Sequence, residues 1–315
     1  MTSASSKCVN WRQVFGIYIS TVERFINTAS LRNASDHPLA KSVNHVKHLL
    51  QVGMPTDDGK LHIGRFSTSP DSAMNVASSL LSTLFRFGID SMYWLGKDGS
   101  YIPELERDSA VRRFLTTRLP NPDMCEDVLA EMTYRGYLKG RGLTVEFTEE
   151  EGMPDMKVLG SHGAFHAEVK ALHNGSNLDR VSKVIEKANK QIKRTPEGIG
   201  VCAIQVVETI QLNGASITAP LSIPATIEPI IKSAQTAMSS MNFKSVAETI
   251  VTWDEFDLLG RPPGWIGLHA VRRSVRLSHV TPRASIPHNR LMDLEPAATI
   301  HGNILFAPSN DPPKD

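Results

Sequence analysis

Asp155 and Glu168 stand on either side of the short segment Gly160-Ser161-His162-Gly163, and Lys170 follows two positions after Glu168. If that segment makes a hairpin with a two- or four-residue loop, 155 pairs with 168 and 157 with 166. The two carboxylates then face each other across the ladder with Cβ atoms about 5 Å apart. The other faces of both strands would carry Met156, Val158, Phe165, Ala167, Val169 and Ala171, all apolar, and burying that set fixes the register. Facing carboxylates repel unless a cation lies between them or one of them binds a proton. Oxygen donors with no thiolate nearby suit Mg²⁺ or Mn²⁺ better than a soft metal. Lys170 shares the strand face of Glu168, where an ammonium could orient or activate a water or stabilise charge developing on a phosphoryl group. A divalent ion beside a lysine points to phosphodiester hydrolysis.

The elements around these residues must hold them in place. After Leu119-Pro120-Asn121-Pro122 the pattern predicts a helix capped by Asp123, with Val128, Leu129, Met132 and Leu138 on one face, ending before Gly140 and Gly142. Three strands are expected at 143–148, 155–159 and 164–172. A second helix starts near Asn177 or Asp179 and turns Val181, Val184, Ile185, Ala188 and Ile192 inward. The segment 199–207 is nearly all apolar, as a strand covered on both faces should be. A helix over 222–241, entered through Pro224, and strands over 247–256 and 265–280 complete the reading.

Pro154-Asp155 followed by Glu168-Val169-Lys170 resembles the PD-(D/E)xK motif of the restriction-endonuclease-like nuclease superfamily. The order helix, three strands, helix, strand over roughly 122–207 matches the αβββαβ core of that superfamily. The resemblance implies an α/β fold with a mixed central sheet flanked by helices, in a nuclease-like domain over 120–300. It implies that Asp155 and Glu168 hold Mg²⁺, for which Mn²⁺ would substitute, and that the Val169 carbonyl is a further metal ligand. It gives Lys170 the role of the catalytic lysine. A Glu on the first helix of such proteins stands near the metal, which points to Glu131, with Glu126 as competitor. A Gln or Lys on the following helix points to Gln191 or Lys187, one helical turn apart. The activity expected is metal-dependent hydrolysis of nucleic acid, with DNA favoured, by in-line attack of water on phosphorus. The rival reading is a catalytically inactive nuclease-fold module that binds nucleic acid or a protein partner.

The remaining sequence bounds these expectations. The 315 residues carry 34 Lys plus Arg against 33 Asp plus Glu, so no basic field covers the whole protein and a nucleic-acid partner would need local clusters. One such cluster is the helix bearing Lys187 and Lys190. Another is the stretch 258–292, with six arginines and no acid, in which Arg272, Ser274, Arg276 and Ser278 would line one strand face and could contact a phosphate backbone. An exposed sheet face is the alternative. Residues 1–119 read as a mostly helical region, with helical spacing in Val22, Phe25 and Ile26 and in Val76, Leu80, Leu81, Leu84 and Phe85. That region has no ligand spacing and is expected to pack against the rest, to dimerise or to recruit a partner protein. Residues 301–315 are expected as a flexible tail. The three cysteines form no CxxC pair, and the uncharged run 209–227 carries polar residues and two prolines that hydrocarbon would reject, so a cytoplasmic protein is expected. His162, His166 and His173 do not suit a helical zinc site, because strand residues four apart are about 13 Å apart.

Overall fold

Tight turns and alternating apolar residues in the middle of the chain make an antiparallel meander, which two helical crossovers extend into one mixed sheet. The computed structural model describes residues 36–52, 108–148, 150–173, 178–211, 223–240, 245–260, 266–278 and 301–306, with 7–8 and the isolated positions 19, 20, 23, 26 and 27. Strand β1 (Lys7–Cys8), helix α1 (Pro38–Val52) and helix α2 (Ser109–Arg118) come first. A 3-10 turn (Pro122–Met124) leads into helix α3 (Cys125–Gly140). Strands β2 (Thr144–Phe147), β3 (Met156–Gly160) and β4 (Gly163–Leu172) follow, then helix α4 (Leu178–Ile192) and strand β5 (Gly200–Gln211). Helix α5 (Glu228–Ser240) and strands β6 (Val246–Gly260), β7 (Ile266–Ser278) and β8 (His301–Phe306) end the series.

The strand order is β1-β8-β7-β6-β5-β4-β3-β2. Strands β2, β3 and β4 pair antiparallel, while β4, β5 and β6 run parallel because α4 and α5 carry the chain back between them. Strand β7 returns antiparallel to β6. Six strands, β2 to β7, thus form a mixed sheet flanked by helices, and short β8 and β1 extend its far edge.

The hairpin turns through Ser161-His162, with Gly160 opposite Gly163 and Lys157 opposite His166, which is the register the apolar face demands. Met156, Val158, Phe165, Ala167, Val169 and Ala171 all enter one core layer, beneath Ala130, Tyr134 and Leu138 of α3. Val181, Ile185, Ala188 and Ile192 of α4 and Ile230, Ile231, Ala234 and Met238 of α5 form a second layer on the other side. Strand β5 feeds both layers, with Val201 and Ala203 on one side and Cys202, Ile204 and Val206 on the other, which explains its continuous apolar run. Gly200 is fixed by close approach, since a Cβ there would lie 2.3 Å from the His166 carbonyl oxygen.

Several boundaries differ from the sequence reading: the helix expected over 222–241 begins only at Glu228, and β5 and β6 run on to Gln211 and Gly260, beyond the expected 207 and 256. Asp123 does not cap α3: it sits inside the 3-10 turn, whose cap is Asn121, accepting from the Asp123 N–H at 3.1 Å. Pro122 has a fixed φ that suits the first position of that turn, so the cap falls one residue before it. Helix α3 continues through Gly140, and Gly142 supplies the positive φ (80°) beyond its end. The stretch 301–315, expected as a flexible tail, begins with β8, which pairs antiparallel with β7. Helix α2, which lies before the expected boundary at 119/120, packs on the sheet, its Phe114 stacked on Phe147 of β2 with ring centroids 4.0 Å apart. Val22, Phe25, the 76–85 run, Asn177, Arg261, Arg283 and Arg290 lie outside the described residues. Among the described residues, no helix is long and apolar enough to cross a membrane.

The pairing of Lys157 with His166 has a consequence in the loop before β5. Glu197 accepts from His166 Nε2 at 2.8 Å and pairs with Lys157 Nζ at 2.9 Å. Burial alone would raise the Glu197 carboxyl, but those two hydrogen bonds outweigh it and hold the carboxyl at about 2, below its ordinary 4.5. A depressed folded-state value stabilises the fold above the ordinary value, and that contribution disappears as pH falls through the lowered one. Glu197→Gln is therefore expected to lower the urea midpoint at pH 7, with the gap from wild type closing between pH 4.5 and 2. A gap that stayed constant over that range would contradict the assignment.

Candidate active site

Strand β4 outruns its antiparallel partner. The β3–β4 pairing stops at Met156 opposite Ala167, whereas β4 continues to Leu172. Backbone N–H groups of the overhang that no longer meet a strand require other acceptors. Two carboxylates supply them: Asp155 Oδ2 accepts from the Val169 N–H at 2.8 Å, and Asp127 Oδ1 from the Ala171 N–H at 2.8 Å.

Asp155 lies one residue before β3 rather than inside it as the sequence reading expected. Its N–H donates to Glu168 Oε2 at 3.2 Å, a side chain taking the place of a ladder partner. Its carbonyl accepts from the Thr148 N–H at 3.0 Å, which anchors it to the end of β2. The paired acids therefore meet at the mouth of a fork between β3 and β4. Lys170 Nζ stands 3.5 Å from Asp155 Oδ2 and 3.4 Å from Glu168 Oε1. Both distances exceed the 2.7–2.9 Å typical of a charge-assisted hydrogen bond, so the ammonium is shared between the acids without saturating either.

Glu131 is fully buried, and Arg118 of α2 holds both of its oxygens, at 2.5 and 2.7 Å. Arg118 Nη1 also lies 3.9 Å from Asp155 Oδ1. The competitor Glu126 is turned elsewhere, pairing with His173 at 2.6 Å. On α4, Gln191 Nε2 donates to the Met153 carbonyl at 2.8 Å and so fixes the segment that presents Asp155. Gln191 Oε1 is buried and has no hydrogen-bond partner among the described residues. A cavity of about 530 Å³ opens over the fork, with Arg113, Thr117, Lys187 and Gln191 in its walls and Glu150 and Glu151 at its rim.

Burial and then the charge of Asp155 push the Glu168 carboxyl up to about 7, against the pull of Lys170 and Lys187. Burial likewise raises Glu131, with Asp155 adding to it and Arg118 opposing. For Lys170 burial would lower the ammonium, but Asp155, Glu168, Asp127 and Glu131 together hold it above its ordinary value. Four carboxylates thus share one buried neighbourhood with Arg118 and Lys170. Repulsion from Asp155 contributes to the raised Glu168 and Glu131 carboxyls, and a hard dication would relieve it.

The residues fit such an ion. Asp155 and Glu168 offer hard oxygens close together at a concave surface, and the Val169 carbonyl is adjacent. Among the described residues, no group of three or more His, Cys, Asp or Glu is arranged to hold a metal ion. An ion placed here would draw on two carboxylates and water, a set that suits Mg²⁺, which keeps several of its waters.

The other residues singled out from sequence lie elsewhere. Lys190 pairs with Glu186 one turn away at 2.6 Å. Arg276 pairs with Glu248 of β6, and Arg273 with Glu255 at 3.2 Å. Arg272 stands opposite Asp254 in the ladder. The acid-free stretch around these arginines is therefore answered by acids of the neighbouring strand, which a reading along the chain does not reveal. Two site residues were absent from the sequence reading. Asp127 had a signal, since it lies one helical turn before Glu131 on the same face. Arg118 had none, because only the packing of α2 brings it to the fork.

No protein-family model, curated protein or solved structure matches this chain. The site is therefore read from its own geometry.

The Arg118–Glu131 pair makes a stability test. Removing one partner of a buried pair leaves an uncompensated charge and costs about 3–5 kcal/mol, whereas replacing both is close to neutral. Arg118→Met should lower the unfolding free energy by that amount, and Arg118→Met combined with Glu131→Met should recover most of it in urea titrations. Equal losses in the single and double variants would show that the pair is not coupled.

Proposed function

We propose that this protein is a metal-dependent nuclease that hydrolyses phosphodiester bonds, with DNA the favoured substrate, and that its fold is of the restriction-endonuclease-like kind. The observation that carries the reading is the fork of β4, where Asp155, Glu168 and Lys170 converge at the lining of one cavity. The order α3, β2, β3, β4, α4, β5 around the fork supports it.

Asp155 and Glu168, with the Val169 carbonyl, would hold Mg²⁺ or Mn²⁺. The bound ion would supply Lewis-acid charge to a phosphoryl oxygen and to the attacking water. The surrounding acids favour the ammonium form of Lys170, so its role would be that of a donor that orients water or stabilises charge growing on phosphorus. The unpartnered Oε1 of Gln191 offers an acceptor that could position the attacking water. Asp155 has a second duty, because its Oδ2 holds the Val169 N–H. Asp155→Asn keeps an acceptor oxygen there and is the cleaner test than Asp155→Ala.

Supercoiled plasmid, linear duplex and single-stranded DNA incubated with Mg²⁺, Mn²⁺ or EDTA should be cut only with metal. Asp155→Asn, Glu168→Gln and Lys170→Met are each expected to reduce cleavage by about 10²-fold or more, the scale of removing one preorganised charge-stabilising group. Their thermal unfolding should remain cooperative. Cleavage that survives all three changes would remove the assignment, and metal-independent, salt-sensitive binding without cleavage would favour an inactive nucleic-acid-binding module.

The cavity is electrostatically lopsided, with Arg113 and Lys187 on the α2 and α4 walls against Glu150 and Glu151 at the rim. A phosphate backbone would run along the α2–α4 side. Lys187→Ala should weaken DNA binding uniformly across sequences and reduce the slope of log affinity against log salt by about one. An unchanged slope would place the backbone elsewhere.

A further inference from the structure

We infer that Arg118 is a built-in counter-cation that withdraws Glu131 from metal binding, so that the fork takes one divalent ion rather than two. This rests on the nuclease reading of Asp155 and Glu168. By type and position Glu131 is an obvious further metal ligand: it is a carboxylate on α3 within electrostatic reach of both Asp155 and Lys170. Its geometry is nevertheless committed. The guanidinium holds both oxygens in a two-pronged grip, and the side chain has no exposure to solvent. A bidentate guanidinium pair is among the stronger and more directional contacts available to a carboxylate. For a cation to reach Glu131, Arg118 would have to let go, and no other acid in the fork is held this way.

Arg118 also leans toward Asp155 Oδ1 at 3.9 Å, while Lys170 stands on the other side of the same carboxylate, near Oδ2. The two cations therefore bracket Asp155. Because Lys170 already stands between Asp155 and Glu168, a dication would meet these two acids from the cavity side, while the buried flank toward Glu131 is filled by the guanidinium. Arg118 is in this account a positioning residue that sets metal stoichiometry and does not itself touch the substrate.

Mn²⁺ binding to the full-length protein, counted by electron paramagnetic resonance of the unbound ion and by titration calorimetry, tests this without reference to cleavage. Wild type is expected to bind one Mn²⁺ per chain at this site. Glu168→Gln should weaken that binding by about tenfold or more, the least expected for loss of a ligand. Glu131→Gln, which keeps a carbonyl oxygen toward Arg118, should leave the affinity within about twofold of wild type. Arg118→Met, if it folds, should bind a second Mn²⁺ or bind the first more tightly. Two ions in the wild type, or a tenfold loss in Glu131→Gln, would overturn the inference while leaving the nuclease reading intact. Absence of Mn²⁺ binding in the wild type would remove both.

Discussion

The arrangement depends on one length mismatch: β4 extends past the end of β3, and the backbone donors exposed by that overhang have to be satisfied inside the protein. A buried N–H without an acceptor costs about 1–3 kcal/mol, so acceptors at the overhang are a folding requirement before they are anything else. Asp155 and Asp127 meet it, each taking one N–H of β4. The same act anchors carboxylates beside Glu168 and Lys170, whose side chains alternate with the bonded positions. The candidate site and the fold thus draw on the same hydrogen bonds.

Bringing these acids together is unfavourable in itself, and the surrounding elements show how the strain is limited. Arg118 neutralises the most deeply buried acid, and Lys170 lies between the other two at distances that leave their lone pairs only partly used. Neither acid beside Lys170 is bound to it at full hydrogen-bonding distance, so both keep lone pairs directed at the cavity lining.

Much of this was legible in the sequence, for a definite reason. Met156, Val158, Phe165, Ala167, Val169 and Ala171 alternate along β3 and β4, so only one register buries them all, and the meeting of Asp155, Glu168 and Lys170 follows from it. Interactions that depend on two remote segments were not legible. The arginines of β7 look like an open basic face until β6 places Glu248, Asp254 and Glu255 alongside. Asp123 resembles a helix cap because the 3-10 turn before α3 leaves no trace in apolar periodicity. Arg118 sits in a stretch that reads only as one more helix of an N-terminal region.

Helix α2 is bound to the sheet unit by the Phe114–Phe147 stack and by Asp108, which caps α2 through the Ala110 and Val111 N–H groups while pairing with Arg135 of α3. The connection reaches further back. His37, buried at the start of α1, accepts from the Leu39 N–H through Nδ1 and donates through Nε2 to the carbonyl of Leu119, the residue after Arg118. Burial keeps that ring below its ordinary pKa, in line with a neutral imidazole acting as acceptor at one nitrogen and donor at the other. The end of α2 is thereby held from both sides, by α1 behind it and by Glu131 in front. The guanidinium that neutralises the buried acid depends for its position on a helix some eighty residues away, so α1 and α2 act as parts of the site's scaffold, and a cut at residue 119 would pass through it.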